Sequence, residues 1–205
     1  MSRVRPSVSD ARYTAVAILL HWLVAAGILA LIVMGLIMTQ WPGAIGPMET
    51  FKLYQLHKSI GITVLLLAVV RLAWRLVRRP PALPAGMTVA ERGAAHGLHW
   101  LLYGLMLGLP LTGWAVVSAS PFNLPTVLYS LIPWPDLPWL SHLANKAAVS
   151  QALGRLHAYG AWLLIGLLVL HLGAVFRHQL IKRDGILSRM WPGWRAPSAS
   201  RVHQG

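Results

Sequence analysis

The chain has 205 residues, of which 56% are hydrophobic and 11% charged, with a mean hydropathy of +0.58 and a formal net charge of +13. A soluble domain carries about 25% charged residues, so this chain cannot clothe a globular surface, and its long apolar runs point to the bilayer as solvent. Cysteine is absent, which excludes disulfides, thiolate-held zinc and iron–sulfur clusters and leaves nine His, seven Met and five acidic residues to hold any metal.

Four segments are long enough to cross about 30 Å of hydrocarbon, and a helix is the only single-segment structure that satisfies its backbone there. The first runs from about 13 to 38, after Arg3, Arg5 and Arg12, and holds His21 in AILLHWLVAAG. It is too long for a signal-peptide core and ends in no clear small-residue cleavage site, so a retained transmembrane helix is expected. The second, about 57–77, opens on His57 in LYQLHKSIG and carries Arg71 and Arg75 near its end. The third, about 94–118, begins with His96 and His99 and contains Pro110, which is expected to kink it.

The stretch 119–150 includes SPFNLPTVLYSLIPWPDLPWL, rich in Pro and Trp and poor in charge. It reads as an ordered outer cap with Trp134 and Trp139 near headgroup level. The fourth apolar segment, about 156–176, carries His157 and His171, with His178 just beyond, and residues 193–205 read as a mobile basic tail. No repeat or separate soluble domain interrupts the chain, so 1–205 is read as one transmembrane unit.

Fourteen of the 18 Lys and Arg residues fall on the N-terminal tail, the second-to-third connection, the C-terminal tail or the helix ends beside them. Only Lys52, Lys58, Lys146 and Arg155 fall on the other side. The excess places both termini in the cytoplasm. Much of the net charge is therefore a topology signal, and the anionic partner it calls for is lipid headgroups rather than nucleic acid.

Fourteen residues of α-helix turn through about 1400° and rise about 21 Å. His157 and His171 thus share a face at two depths and cannot hold one compact metal cluster. By depth, His171 matches His21 and His157 matches His57. A flat ring between two axial imidazoles suits such pairs, and haem iron accepts His on both sides. Ala25, Gly61, Gly160 and Gly173, each two to four residues from a pair member, would leave room for the ring or permit close helix packing. Zinc transport would favour carboxylates within the spans, and none is present in their interiors.

These residues carry a resemblance. HW at 21–22, LHKSIGI at 56–62, VVRLAWRL at 69–76, AAHGLHWLLYGLMLGLPLTG at 94–113, the two His of the fourth segment and RDGILSRMWP at 183–192 together resemble the bacterial cytochrome b561 family, over about residues 12–192. The resemblance implies an all-α membrane protein, a four-helix transmembrane bundle enclosing two b haems in a bacterial inner membrane, with His21–His171 on the inner haem iron and His57–His157 on the outer. The chain is most similar to the branch that oxidises superoxide at the outer face and reduces ubiquinone. The wider family also implies an alternative, an electron-transfer subunit linking quinone to a separate redox partner protein. The superoxide reading makes Lys52, Lys58, Lys146 and Arg155 candidates for steering the anion. Arg71 and Arg75 are candidate propionate partners, and His178 is a candidate quinone contact. His96 and His99 cannot both face one ring, since three residues turn about 300°.

Overall fold

A computed structural model describes residues 12–41, 43–84 and 86–192. The elements in chain order are α1 (Ala15–Gln40), α2 (Pro47–Val77), α3 (Val89–Ser118), β1 (Thr126–Leu128), β2 (Ile132–Trp134), α4 (Pro138–Ser141), α5 (Lys146–Phe176), a π-helical turn (Arg177–Lys182) and α6 (Ile186–Met190). The tail 193–205 and residues Arg3 and Arg5 lie outside the described residues.

Helices α1, α2, α3 and α5 are each long and apolar enough to cross a membrane. Their starts are encoded locally. Thr14 accepts a hydrogen bond from the Ala17 N–H, Pro47 occupies the first turn of α2, and Thr88 and Glu91 form a reciprocal capping box on α3. Helices α2 and α5 begin about ten residues before the apolar runs at 57 and 156. Their first ten residues mix apolar side chains with Glu49, Thr50, Lys52, Lys146, Ser150, Gln151 and Arg155, so hydropathy alone marks only the later, continuous apolar part. The connection between α3 and α5 shrinks accordingly from the expected 119–150 to residues 119–145. Pro110 lies within α3, which continues through it.

The helices pack in series, α1 on α2, α2 on α3 and α3 on α5. Val24 and Ile28 of α1, Val64 and Ala68 of α2, Leu102, Tyr103 and Met106 of α3, and Leu164 of α5 form one buried cluster. Leu164 is the buried residue of α5, whose flanks carry exposed Leu163, Val169 and Leu170. Exposed apolar side chains of this kind are what a helix facing lipid presents. Two glycines set the closest approaches. A Cβ on Gly27 would lie 2.6 Å from Val64 Cγ2, and one on Gly160 would lie 2.9 Å from Leu109 Cδ2.

At one end of the bundle β1 and β2 pair antiparallel, Thr126 with Trp134 and Leu128 with Ile132. Between them Tyr129 and Ser130 take φ of 52° and 59°, a left-handed conformation unusual for non-glycine residues. Docking offsets its cost: Tyr129 N–H donates to Ser59 Oγ at 2.9 Å, and the Tyr129 and Thr63 hydroxyls lie 2.6 Å apart. Gln55 donates to Pro125 O, Trp114 Nε1 to Pro135 O, and Leu137 N–H to Ser118 Oγ. Trp134 packs against Trp114 with ring centres 5.5 Å apart, while Trp139 is exposed. This is the capped end.

The other end carries most of the arginines and is closed by α6. Trp22 Nε1 donates to Met190 O at 2.9 Å, and Arg189 Nη1 to Ala82 O at 2.8 Å. Arg177 and Lys182 both reach Glu91, at 2.9 and 2.7 Å, and tie the end of α5 to the start of α3.

Gly27→Val should overpack the α1–α2 contact and lower stability by about 1–3 kcal/mol, read as a lower thermal unfolding temperature in detergent. Gly166→Ala, where a Cβ meets nothing within 4 Å, should leave that temperature unchanged or raise it slightly.

Candidate functional site

Helix α5 supplies a histidine at each of two levels, and α1 and α2 supply one each opposite. The His21 and His171 ring centres lie 6.4 Å apart with planes inclined at 60°. The His57 and His157 centres also lie 6.4 Å apart, at 70°. Two imidazoles on one metal, each bound at about 2.0–2.1 Å with about 1.1 Å from nitrogen to ring centre, stand about 6.3 Å apart. Both pairs therefore have the spacing of two axial ligands on one ion. Among the described residues no cluster of three metal-ligating side chains forms, so each pair offers two ligands and leaves the equatorial plane to another donor. A porphyrin supplies such a plane.

The surroundings fit that group. Helix α5 is packed along α3, and neither α1 nor α2 packs along α5. The histidines thus face each other across slots between helices. The Nδ1 atoms of His21 and His57 are buried without a hydrogen-bond partner. A Cβ on half-buried Gly61 would meet nothing within 4 Å, whereas Gly173 is exposed on the outer surface and makes no room for a ring. Gly160 differs: its missing side chain admits Leu109, so it serves helix packing and not the ring.

His157 is the best defined of the four. Its Nδ1 lies 3.0 Å from Leu109 O and 3.1 Å from Thr112 Oγ1. A carbonyl oxygen only accepts, so Nδ1 carries the proton and Nε2 keeps the lone pair that binds a metal. The contact depends on α3. Pro110 follows Leu109, and Gly113 lets α3 come close, since a Cβ there would sit 3.2 Å from His157 Cε1. On α1, Gly35 plays the milder counterpart, 3.8 Å from His57 Cε1. Sequence reading missed Leu109, Thr112, Gly113 and Gly35. The signal present was the LPLTG run, in which a helix-interior Pro and a Gly three residues apart call for a packing reason.

His57 and His157 lie about ten residues inside their helices and do not open them, so the pair is deeper in the bundle than the apolar runs imply. Of His96 and His99, His99 joins the other pair: its ring centre is 5.6 Å from that of His171, edge-on, and Nδ1 lies 2.6 Å from Ala95 O. Arg71 stacks 5.3 Å over Tyr103, and Arg75 lies between Trp100 and Tyr103 at 5.5 and 5.4 Å. Arg71, Arg75, His99 and Tyr103 line a cavity of about 300 Å³ at the basic end. His178 does not line it. That residue is buried and its Nδ1 lies 2.5 Å from Asp184 Oδ2, within the segment joining the π-helical turn to α6.

The four candidate cations of the capped end differ in their surroundings. Lys52 is paired with Glu49 at 2.8 Å, Lys146 donates to Asn123 Oδ1 at 2.6 Å, Lys58 is half-buried within reach of Asp136, and Arg155 is exposed.

Comparison with known proteins places the fold in a family. The model of the family described as prokaryotic cytochrome b561 matches residues 12–193. "Cytochrome b561 homolog 2" of Escherichia coli (strain K12) is 30% identical over 181 residues, covering 87% of this chain and 90% of that protein. "Probable superoxide oxidase CybB" of Yersinia pestis is 27% identical over 183 residues, covering 88% of this chain and 96% of that protein.

Gly113→Val should push the His157 ring off Leu109 O. The expected outcome is a haem content about half that of the unchanged protein, read from the pyridine haemochrome absorbance per polypeptide; an unchanged content would show that Gly113 does not shape the site.

Proposed function

The chain belongs to the prokaryotic cytochrome b561 family, multi-pass membrane proteins that bind haem b and transfer electrons, and we propose that it holds two such haems and passes electrons from superoxide to ubiquinone. The observation that carries the reading is the pair of 6.4 Å histidine couples sharing α5. His21 and His171 would hold the haem of the basic end, and His57 and His157 that of the capped end. Bound there, haem b supplies a one-electron couple at each level. The reaction is 2 O₂•⁻ + Q + 2 H⁺ → 2 O₂ + QH₂.

The protein's part is positional. The fourteen residues between His157 and His171 rise about 21 Å along α5 and set the separation of the two levels. Val24, Ile28, Val64, Met106 and Leu164 fill the space between them and exclude water. At the basic end Arg71 and Arg75, held by their aromatic neighbours, would pair with propionates and orient the ring. Thr112 and Leu109 O hold His157 in its ligating tautomer.

The excess of arginine at the basic end supports a cytoplasmic placement of both termini and an inner-membrane location. The capped end then faces outward, where Lys52, Lys58, Lys146 and Arg155 would steer an anion. The name carried by the Yersinia pestis relative supports superoxide as that anion. His178 has its Nδ1 engaged by Asp184, which leaves Nε2 as its one ring nitrogen for a quinone contact.

One observation favours a second reading. The cap presents exposed Phe122, Leu131 and Trp139, 79%, 81% and 68% accessible, a surface that suits docking of a separate redox protein. In that case the chain is an electron-transfer subunit linking quinone to its partner.

His21→Ala and His171→Ala should remove the same haem and leave the other, and His57→Ala and His157→Ala should remove the remaining one, read as paired losses in the α-band and in redox titration. Loss of different haems within a pair would refute the pairing. Superoxide pulses onto the anaerobic protein should be consumed faster with a soluble ubiquinone analogue than without it. Haem reduction with no quinone-dependent turnover, together with a co-purifying dehydrogenase, would favour the subunit reading.

A further inference from the structure

The cavity at the basic end holds more positive charge than a haem there can neutralise. Its wall carries five guanidiniums, Arg12, Arg71, Arg75, Arg78 and Arg79, and among the described residues no carboxylate lines it. Glu91, at the start of α3, is already bound by Arg177 and Lys182. Arg12 is engaged by Trp191 O; of the other four guanidiniums, two would be met by the two propionates of a haem at the adjoining histidine pair, and two positive charges are left. The surplus does not depend on the haem reading.

The five lie at different levels. Arg71 and Arg75 sit within the bundle, stacked on Tyr103 and Trp100 of α3. Arg78 and Arg79 are exposed where the chain leaves α2 into Pro80 and Pro81. Just before them on α2, outside the cavity wall, Leu76 and Val77 are 68% and 77% accessible and extend the apolar surface of the helix up to the two arginines. Trp74 forms one wall of the cavity and is fixed by donation of its Nε1 to Thr14 Oγ1 at 2.9 Å. A guanidinium pair over an apolar strip, with an indole at the interface, matches a molecule that has a phosphate at one end and acyl chains at the other.

We propose that the mouth of this cavity binds the phosphate of an anionic phospholipid, with Arg78 and Arg79 as its cationic partners and Leu76 and Val77 along its acyl chains. Free inorganic phosphate shares the headgroup chemistry but gains nothing from the apolar strip. Arginine suits the task better than lysine because its planar fork engages two phosphate oxygens at once.

Native mass spectrometry of the detergent-solubilised holoprotein, loaded with equimolar phosphatidylglycerol and phosphatidylcholine, tests this. The unchanged protein should retain one phosphatidylglycerol in preference to phosphatidylcholine. Arg78→Gln/Arg79→Gln should weaken that retention by about thirtyfold, since each surface cation contributes about fivefold, while haem absorbance per polypeptide stays as before. Arg78→Lys/Arg79→Lys should restore part of it, which separates loss of charge from loss of fold. Millimolar inorganic phosphate should not displace the lipid. Equal retention of the two lipids, or unaltered retention in the glutamine variant, would overturn the proposal. Displacement by inorganic phosphate would reassign the site to a free anion, and loss of haem together with lipid would reassign the outer arginines to the propionates.

Discussion

The architecture depends on one constraint: a lipid-facing helix carries two imidazoles, and each must meet a partner at its own depth. Helix α5 buries little of itself. Its lengthwise packing partner is α3, and its His171 and His157 rings lie against His21 of α1 and His57 of α2. A charged or polar group in hydrocarbon is costly unless it is partnered.

Helix α3 does the positioning. It touches α2 on one side and α5 on the other, and its features recur at both levels. Near the capped end, Leu109 O, Thr112 and Gly113 orient His157 and leave room for its ring. Near the basic end, His99 lies against His171, and Tyr103 and Trp100 support Arg71 and Arg75. Between these levels Leu102, Tyr103 and Met106 belong to the buried cluster. A helix that carries no member of either proposed ligand pair therefore fixes the geometry of both.

The two ends differ in how they meet water. The capped end is closed by a hairpin held through neutral hydrogen bonds to Ser59, Thr63 and Ser118, and its cations are partly paired. The basic end is closed by α6 through backbone and indole contacts, and its arginines gather around a cavity. A neutral rigid lid suits a face that admits a small molecule or docks a protein. A concentrated positive field suits propionates and anionic lipid.

Much of this was legible in the chain itself. Apolar runs long enough to span a bilayer force helices, because nothing else satisfies the backbone there. The fourteen-residue spacing of His157 and His171 forces two levels on one face, because α-helical pitch is fixed. Arginine asymmetry marks the two ends. The helix starts at Pro47 and Lys146 were not legible from hydropathy, since charged and polar residues are scattered through the ten residues before each continuous apolar run. Nor was the assignment of small residues. Gly160 and Gly61 look alike in sequence, yet Leu109 occupies the space beside one and nothing occupies the space beside the other. The choice of His99 over His96, the tautomer of His157 and the burial of His178 against Asp184 were likewise decided only in the tertiary structure. Each depends on which atom of a neighbouring helix comes within hydrogen-bond or ring-contact distance, and helical periodicity in one segment carries no information about the rotation of the next.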